Sequence, residues 1–389
     1  MYNILTLNKI DPQGLNRFPC ENYRISSEVS NPDAVVLRSY SMHDMELPSG
    51  LKAIARAGAG VNNIPIDKCT ELGIVVFNTP GANANGVKEL VIAGMLLASR
   101  DVIGGVNWAQ TLIGQGDQVG ALVEKGKSNF GGTEIMGKTL AVIGLGAIGM
   151  LVANASQKLG MKIIGYDPYL SHEQASKLDA GIVVETSLDK VVAAADFITL
   201  HVPLVPETKN LINKEKIARM QPHVKILNFS RSGLVNDSDL AEALQNGKVA
   251  KYVTDFPDEA TLKIKNAICI PHLGASTEES ETNCAIMAVD QIRDYLENGN
   301  IINSVNFPTI TLERDANNLR IVVAGKNMAD VLKPATNILK AEGIQVKAMI
   351  SKSRNNISYG IIDVDKKEIT DALKQKIAAT DGIFMTCAL

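Results

Sequence analysis

Three polar side chains in the second half of the chain could carry one reaction between them: Arg231, Glu259 and His272. Each stands just beyond a short run that reads as a strand. Arg231 follows Lys225–Phe229, Glu259 follows Lys251–Thr254 and the turn Asp255-Phe256-Pro257-Asp258, and His272 follows Ala267–Ile270 and Pro271. Oxidising an alcohol by hydride transfer requires a base for the hydroxyl proton, a group that steadies the base, and a cation that grips a carboxylate and the developing carbonyl. An imidazole, a carboxylate and a guanidinium supply one of each. The imidazole accepts the proton in oxidation and, as imidazolium, donates it in reduction, and a carboxylate on its far nitrogen fixes the tautomer and favours the charged form. The guanidinium offers a bidentate fork that an ammonium cannot match. Alone, each reads as readily as a structural histidine, a surface ion-pair partner or a solvated loop acid, so the case rests on the elements that position them.

The most informative of those elements is Lys138–Asp167, KTLAVIGLGAIGMLVANASQKLGMKIIGYD. A buried strand, Thr139–Ile143, runs into Gly144-Leu145-Gly146-Ala147-Ile148-Gly149, a helix extends to about Leu159, Gly160 stops it, and a second strand, Lys162–Tyr166, delivers Asp167. Gly144 lets the chain turn off the strand, Gly146 leaves room for a pyrophosphate, and Gly149 lets helix and strand pack closely. With Ala147 and Ile148 they open a helix whose free N–H groups and partial positive charge suit a diphosphate. Asp167, 23 residues after Gly144, can accept hydrogen bonds from the adenosine ribose hydroxyls and would repel a 2'-phosphate, which favours NAD over NADP. In a doubly wound sheet ligands bind outside the carboxyl ends of the strands, where Arg231, Glu259 and His272 are expected.

Composition excludes several alternatives. The 389 residues are too many for one typical domain, and 46% hydrophobic with 21% charged residues suits a packed core. With 39 basic and 42 acidic side chains the net charge is only -3, so nothing recommends nucleic acid or an anionic membrane as partner. Cys20, Cys69, Cys269, Cys284 and Cys387 have no ligand or CxxC spacing, so no metal site is expected and a reduced, cytoplasmic setting fits. The opening MYNILTLNKIDPQGL does not read as a secretory signal, and the longest apolar stretch, Leu90–Ala98, is far short of the ~20 residues a membrane crossing needs.

Short β-branched runs alternating with helical patterns make the fold class α/β with parallel strands. Early strands are expected at Ala34–Leu37, Leu51–Ala55 and Ile74–Phe77, followed by a helix from Val87 to about Ser99 buried on most sides. Gly114–Gly137 reads as an irregular linker or arm. A strand is also expected at Phe197–His201, and a helix after Ser276 ends at Asn298-Gly299-Asn300. After a break at Asn306–Asn318, a separate unit follows: strand Arg320–Ala324, helix Ala329–Ala341, strands Val346–Ser351 and Ile357–Val364, helix Lys367–Ala378 and strand Gly382–Thr386, a βαββαβ order. Arg38 and Arg56, at early strand ends, are placed to meet an anionic group.

The glycine loop with Asp167, HVPLVPETKNLI from His201, NFSRSGLV from Asn228 and PHLGASTEES from Pro271 together resemble the D-isomer-specific 2-hydroxyacid dehydrogenases over nearly the whole chain. The resemblance implies a Rossmann cofactor domain at 99–282, a discontinuous flavodoxin-like substrate domain at 1–98 and 283–310, and an ACT-like regulatory or assembly domain at 317–389. It implies Arg231, Glu259 and His272 as the catalytic triad, NAD as cofactor, and pairing of copies into a homodimer or homotetramer. His201, Val202 and Pro203 would lie by the cofactor, His201 without an acid/base role, and Thr208 would touch the diphosphate. Arg38 and Arg56 would meet a substrate phosphate, while the Ala57–Val61 backbone, including Ala59 and Gly60, with Asn83 would meet the substrate carboxylate. A phosphorylated 2-hydroxy acid, 3-phosphoglycerate, fits two such arginines better than lactate does. A hydroxypyruvate or glyoxylate reductase, and an NAD-sensing interaction protein resembling transcriptional corepressors, remain alternatives. Two departures stand out. The acid before Phe256 sits one place later than in relatives, leaving Asp255 for the nicotinamide amide, and the loop Gly325-Lys326-Asn327-Met328-Ala329-Asp330 lacks the histidine and glycine of effector-binding ACT domains. Weak or absent serine inhibition is therefore expected.

Overall fold

A computed structural model describes residues 1–328 and 330–389. The first segment carries β1 (Tyr2–Leu7), α1 (Pro12–Leu15), β2 (Tyr23–Ser26), β3 (Ala34–Leu37), β4 (Ala53–Arg56), α2 (Ile66–Glu71) and β5 (Val75–Phe77). All five strands are parallel, in the order β2-β1-β3-β4-β5, the flavodoxin-like winding. Val35, Val36, Leu37, Ile54, Ala55, Val75 and Val76 are fully buried, so both faces of this small sheet are covered, and its strands read as continuous apolar runs. β1 and β2 were not expected from sequence. Tyr, Asn and Thr in β1 and the single buried residue of β2 dilute the apolar signal of an edge pair.

The chain then enters a second unit, Ala84–Thr277. It contains α3 (Ala84–Ser99), α4 (Val102–Gln110), α5 (Val119–Gly126), β6 (Thr139–Ile143), α6 (Ala147–Lys158), β7 (Lys162–Tyr166), α7 (His172–Ala175), β8 (Val183–Val184), α8 (Leu188–Ala194), β9 (Phe197–Leu200), α9 (Lys214–Arg219), β10 (Val224–Asn228), α10 (Asp237–Gln245), β11 (Val249–Thr254), α11 (Glu259–Leu262) and β12 (Ala267–Cys269). The seven parallel strands run β12-β11-β10-β9-β6-β7-β8, so the order reverses beside β6, where the glycine loop begins. α3 joins this body rather than the first segment, which moves the expected boundary at 98 back to 83. Its glycine face explains the move: a Cβ at Gly94 would come 2.8 Å from the Phe229 ring, so α3 lies directly on β10. The helix is buried along this side only, and Leu96 is 39% exposed, so it is not buried on most sides as the apolar run suggested.

The expected irregular stretch at 114–137 is largely helical, with α5 and two 3-10 turns at Gly116–Gln118 and Lys127–Phe130. α4 before it starts where the Asp101 carboxylate accepts the Gly104 N–H. Neither α4 nor α5 buries a single residue, which is why no apolar period marked them. Stacking of Trp108 on Phe130, with ring centroids 5.3 Å apart, ties the end of this arm to its start.

The chain returns to the first unit through α12 (Glu278–Asn298), and then forms β13 (Leu319–Lys326), α13 (Leu332–Ala341), β14 (Val346–Arg354), β15 (Ile357–Val364), α14 (Asp371–Ala378) and β16 (Ile383–Ala388). This is an antiparallel sheet in the order β14-β15-β13-β16, the expected βαββαβ layout. Helix α13 begins at Leu332; the expected start, Ala329, lies outside the described residues. This sheet falls in one compact unit with the first segment. Val322, Ala324, Ile357, Tyr359 and Ile361 share one core with α12 and the first sheet, while Ile321, Val323, Ile362 and Val364 on the other face pack under α13 and α14. Arg320, fully buried, makes two hydrogen bonds to Asp363, at 2.7 and 2.8 Å, and donates to the carbonyls of Asn298, Leu312 and Glu313 at 2.9 Å each. Five donors meet five acceptors, so the buried ion pair leaves nothing unsatisfied and fastens the sheet to the end of α12.

Candidate active site

The glycine loop has the shape the motif requires. Gly144 adopts φ +93°, and a Cβ there would come 2.5 Å from the His201 carbonyl oxygen, so only glycine fits. A Cβ on Gly149 would lie 1.9 Å from the Gly144 oxygen, whereas one on Gly146 would meet nothing within 4 Å. Loop and helix are thus in close contact while open space is left over Gly146. Ala147 and Ile148 begin α6, whose first turn has no side-chain cap and so leaves its N–H groups available. Asp167 is fixed by two backbone donors: Leu145 N–H to Oδ2 at 2.9 Å and Tyr169 N–H to Oδ1 at 2.9 Å. Its carboxylate is therefore aimed at the loop and keeps lone pairs free for ribose hydroxyls.

His201 follows β9. Its Nε2 meets Thr199 Oγ1 at 2.9 Å, its Nδ1 is buried without a partner, and burial pushes its pKa down to about 3. It is a neutral side chain at working pH and holds no proton to exchange. Val202 packs against the Gly144 turn and Pro203 is exposed. The Thr208 hydroxyl is engaged in its own turn, donating to the Pro203 carbonyl at 2.6 Å and accepting from Val205 N–H at 2.9 Å. The expected diphosphate contact would require it to leave that turn.

The catalytic candidates of this unit come together in part. The buried Asn228 side chain shapes the turn after β10, donating to the Arg231 carbonyl at 2.8 Å, while Ser230 Oγ donates to the Leu200 carbonyl at 2.6 Å. Arg231 leaves this turn over the Phe256 ring, 5.6 Å from its centroid, and the His272 ring lies 4.5 Å from the same ring. Phe256 is thus a ring that both the guanidinium and the imidazole approach, which sequence reasoning missed. Asp255 is 1% exposed, its Oδ2 accepting Gly274 N–H at 3.3 Å and its Oδ1 unpartnered. Burial pushes its carboxyl up, against the opposing pull of His272, the Gly274 N–H and Arg231. Glu259 is engaged with another partner. It opens α11, where its exposed carboxylate pairs with Lys263 at 2.5 Å, and among the described residues no hydrogen bond joins it to His272. The physical reason is local, since an i,i+4 acid–base pair on a one-turn helix is the nearest partner available.

This unit fits NAD on its own observations. Free N–H groups at α6, open space over Gly146, the anchored Asp167 and the orphaned polar atoms His201 Nδ1 and Asp255 Oδ1 are what a dinucleotide would satisfy.

The anion candidates of the other unit also sit at carboxyl ends of parallel strands. Arg38 follows β3 and Arg56 closes β4, with Arg56 Nε donating to the Arg38 carbonyl at 2.8 Å. Arg38 is not an open cation, because its Nη1 pairs with Glu281 of α12 at 2.6 Å. The loop at Gly58, Ala59 and Gly60 is held by Asn78, which donates to the Ala59 carbonyl at 2.6 Å, and by Thr79 N–H to the Gly58 carbonyl at 3.1 Å. Asn83 has a buried, unpartnered Oδ1.

Comparisons agree with this geometry. Residues 94–274 match the family model described as the D-isomer specific 2-hydroxyacid dehydrogenase, NAD binding domain. The chain is 34% identical over 360 residues to the D-3-phosphoglycerate dehydrogenase of Methanocaldococcus jannaschii, covering 90% of this chain and 63% of that protein. It is 37% identical over 291 residues to the enzyme of the same name from Synechocystis sp., covering 72% of this chain and 50% of that one. The chain thus spans between half and two thirds of the length of these relatives. Among solved structures, the NAD-bound 3-phosphoglycerate dehydrogenase of Entamoeba histolytica is 26% identical with a TM-score of 0.62, covering 79% of this chain and 99% of that one. An NADPH-dependent glyoxylate/hydroxypyruvate reductase of Sinorhizobium meliloti, 22% identical with a TM-score of 0.65, covers 78% of this chain and 98% of that one and shares the fold. Residues 94–274 therefore carry the NAD-binding domain of the D-isomer-specific 2-hydroxyacid dehydrogenases, and the chain is similar over most of its length to proteins named D-3-phosphoglycerate dehydrogenase.

Proposed function

We propose that the chain is an NAD-dependent dehydrogenase that interconverts 3-phospho-D-glycerate and 3-phosphohydroxypyruvate, the first step of serine synthesis. The single observation that carries the chemistry is the gathering of Arg231 and His272 about the Phe256 ring, next to the buried Asp255, at the carboxyl ends of the sheet that bears the glycine loop. NAD, when bound, supplies the hydride acceptor; Gly144, Gly146, Ala147, Ile148, Gly149 and Asp167 would hold it. His272 takes the proton of the substrate hydroxyl in oxidation and returns it in reduction. Arg231 grips the carboxylate and the developing carbonyl oxygen. Asp255 and Glu259 are the carboxylates available to steady the imidazole, Glu259 after release from Lys263. Arg38 and Arg56 would meet the phosphate, and Ala59, Gly60 and Asn83 the carboxylate.

The names of the relatives and the two adjoining arginines support the phosphorylated substrate over hydroxypyruvate or glyoxylate. Copies pair through the α4–α5 arm, whose Val102, Ile103, Val106 and Ile113 are 47, 45, 53 and 85% exposed. The setting is cytoplasmic; no described helix is long and apolar enough to cross a membrane, and the five cysteines are unpaired. The test is NADH oxidation with phosphohydroxypyruvate and with hydroxypyruvate. A higher kcat/KM for the phosphorylated substrate is expected, and equal values or a preference for hydroxypyruvate would overturn the assignment.

A further inference from the structure

The two turns that carry Arg231 and Phe256 leave adjacent parallel strands, with Asn228 of β10 paired in register with Thr254 of β11. Asn228 is 1% exposed and spends most of its bonding capacity on the first turn. Its Oδ1 accepts the N–H groups of Ser230 and Arg231 at 3.2 and 3.4 Å, and its Nδ2 donates to the Arg231 carbonyl at 2.8 Å. The other amide hydrogen goes to the Tyr252 hydroxyl at 3.2 Å. Tyr252, 3% exposed, is also hydrogen-bonded to the Thr254 hydroxyl, whose oxygen accepts the Phe256 N–H at 3.1 Å. Burial pushes the Tyr252 pKa up to about 12, so the phenol keeps its proton and serves as donor and acceptor together. One buried hydroxyl therefore stands between the backbone of Arg231 and the backbone of Phe256. Arg231 is exposed and its Nη1 donates to the carbonyl of its own neighbour Ser230 at 2.6 Å, so its place over the Phe256 ring follows from where its backbone starts.

We propose that Tyr252 is a positioning residue for the reaction: its hydroxyl ties the Arg231 turn to the Phe256 turn and so sets the guanidinium over that ring, where the substrate carboxylate is gripped. A bidentate grip needs both N–H groups of the fork in place at once, which makes it sensitive to small displacements of its anchor. Phenylalanine at position 252 would keep the ring in the core but leave an Asn228 amide hydrogen buried without an acceptor, a loss felt first at the turn that Asn228 holds. Tyr252 acts through Arg231 and need not touch the substrate. This inference rests on the reading of Arg231 as the grip on the substrate carboxylate.

The test is a double-mutant cycle on the full chain, with wild type, Tyr252→Phe, Arg231→Ala and the double variant, reading kcat and KM for phosphohydroxypyruvate per NADH-binding site. Tyr252→Phe is expected to lower kcat/KM roughly threefold to tenfold, the scale of one buried hydrogen bond, while NADH affinity stays within about a factor of two. In the Arg231→Ala background the same substitution should change kcat/KM by less than about twofold, because the group it places is gone. Thr254→Val, which breaks the far end of the tie, should repeat the loss, and Thr254→Ser, which keeps the hydroxyl, should not. Wild-type kcat/KM in Tyr252→Phe, an equal loss in the Arg231→Ala background, or a matching loss of NADH affinity would overturn the inference, as would Thr254→Val that behaves like Thr254→Ser. Wild-type protein that reduces neither phosphohydroxypyruvate nor hydroxypyruvate would instead defeat the proposed function.

Discussion

Both oxygens of Asp167 are spoken for by backbone donors, Leu145 N–H and Tyr169 N–H, and this anchoring makes cofactor choice a property of one side chain. A carboxylate that cannot rotate away must meet whatever stands at the ribose 2'-position, hydroxyl or phosphate. Asp167→Ser should therefore reduce the ratio of kcat/KM for NAD over NADP by roughly tenfold or more, the scale of ~1.4 kcal/mol. An unchanged ratio would assign ribose recognition elsewhere. The carboxylate beside the imidazole is a second matter of single residues. The spacing in the sequence nominated Glu259, yet the structure pairs Glu259 with Lys263 and places the buried Asp255 within electrostatic reach of His272. A negative charge near an imidazole favours the protonated form that reduction requires. Asp255→Asn should therefore lower kcat for reduction by more than Glu259→Gln does. The reverse order would show that Glu259 swings to His272 during turnover. The positions of His272, Arg231 and Asp167 beyond strand ends were legible because their motifs follow the strands directly. The Glu259 pairing was not, because a four-residue helix offers its side chain a nearer partner than any distant motif reveals.

At the scale of elements, the strands of the second unit were readable because parallel strands covered on both faces are continuous apolar runs. β6 and β7 fall where the sequence placed them, at Thr139–Ile143 and Lys162–Tyr166. The two-residue β8, Val183–Val184, lies exposed at the sheet edge and left no such run. The α4–α5 arm left no periodic signal because it buries nothing within its own chain. Asp330 replaces an expected glycine for a local reason, its Oδ1 accepting from Leu332 N–H at 2.9 Å and Lys333 N–H at 3.2 Å at the start of α13. The charged pair inside the C-terminal sheet escaped notice although its register is simple, Arg320 on β13 opposite Asp363 on β15. Removing one partner strands the other in the core, so Asp363→Asn should lower stability by about 3–5 kcal/mol, read as an earlier midpoint in urea unfolding. A change below ~1 kcal/mol would mean that water reaches the guanidinium.

For the molecule as a whole, the two-unit division was only partly legible. The return of α12 to the first segment follows the sequence pattern, but the shared core beneath β13 and β15 does not, because a sheet covered on both faces gives no hint of which body covers it. That shared core has a functional consequence. With its sheet fastened to α12 through Arg320 and its loop occupied by Asp330, the C-terminal βαββαβ layer is built as a fixed part of the first unit. Serine at low millimolar concentration should therefore leave the rate unchanged, and inhibition in that range would show a working effector site. The central claim concerns proton transfer, and His272→Ala tests it most directly, with turnover and NADH affinity measured on the same protein. Loss of kcat by roughly 10²–10⁴-fold with NADH affinity held within about a factor of two, far below a tenfold step of 1.4 kcal/mol, is expected. Turnover near the wild-type rate would remove His272 from the reaction and contradict the account.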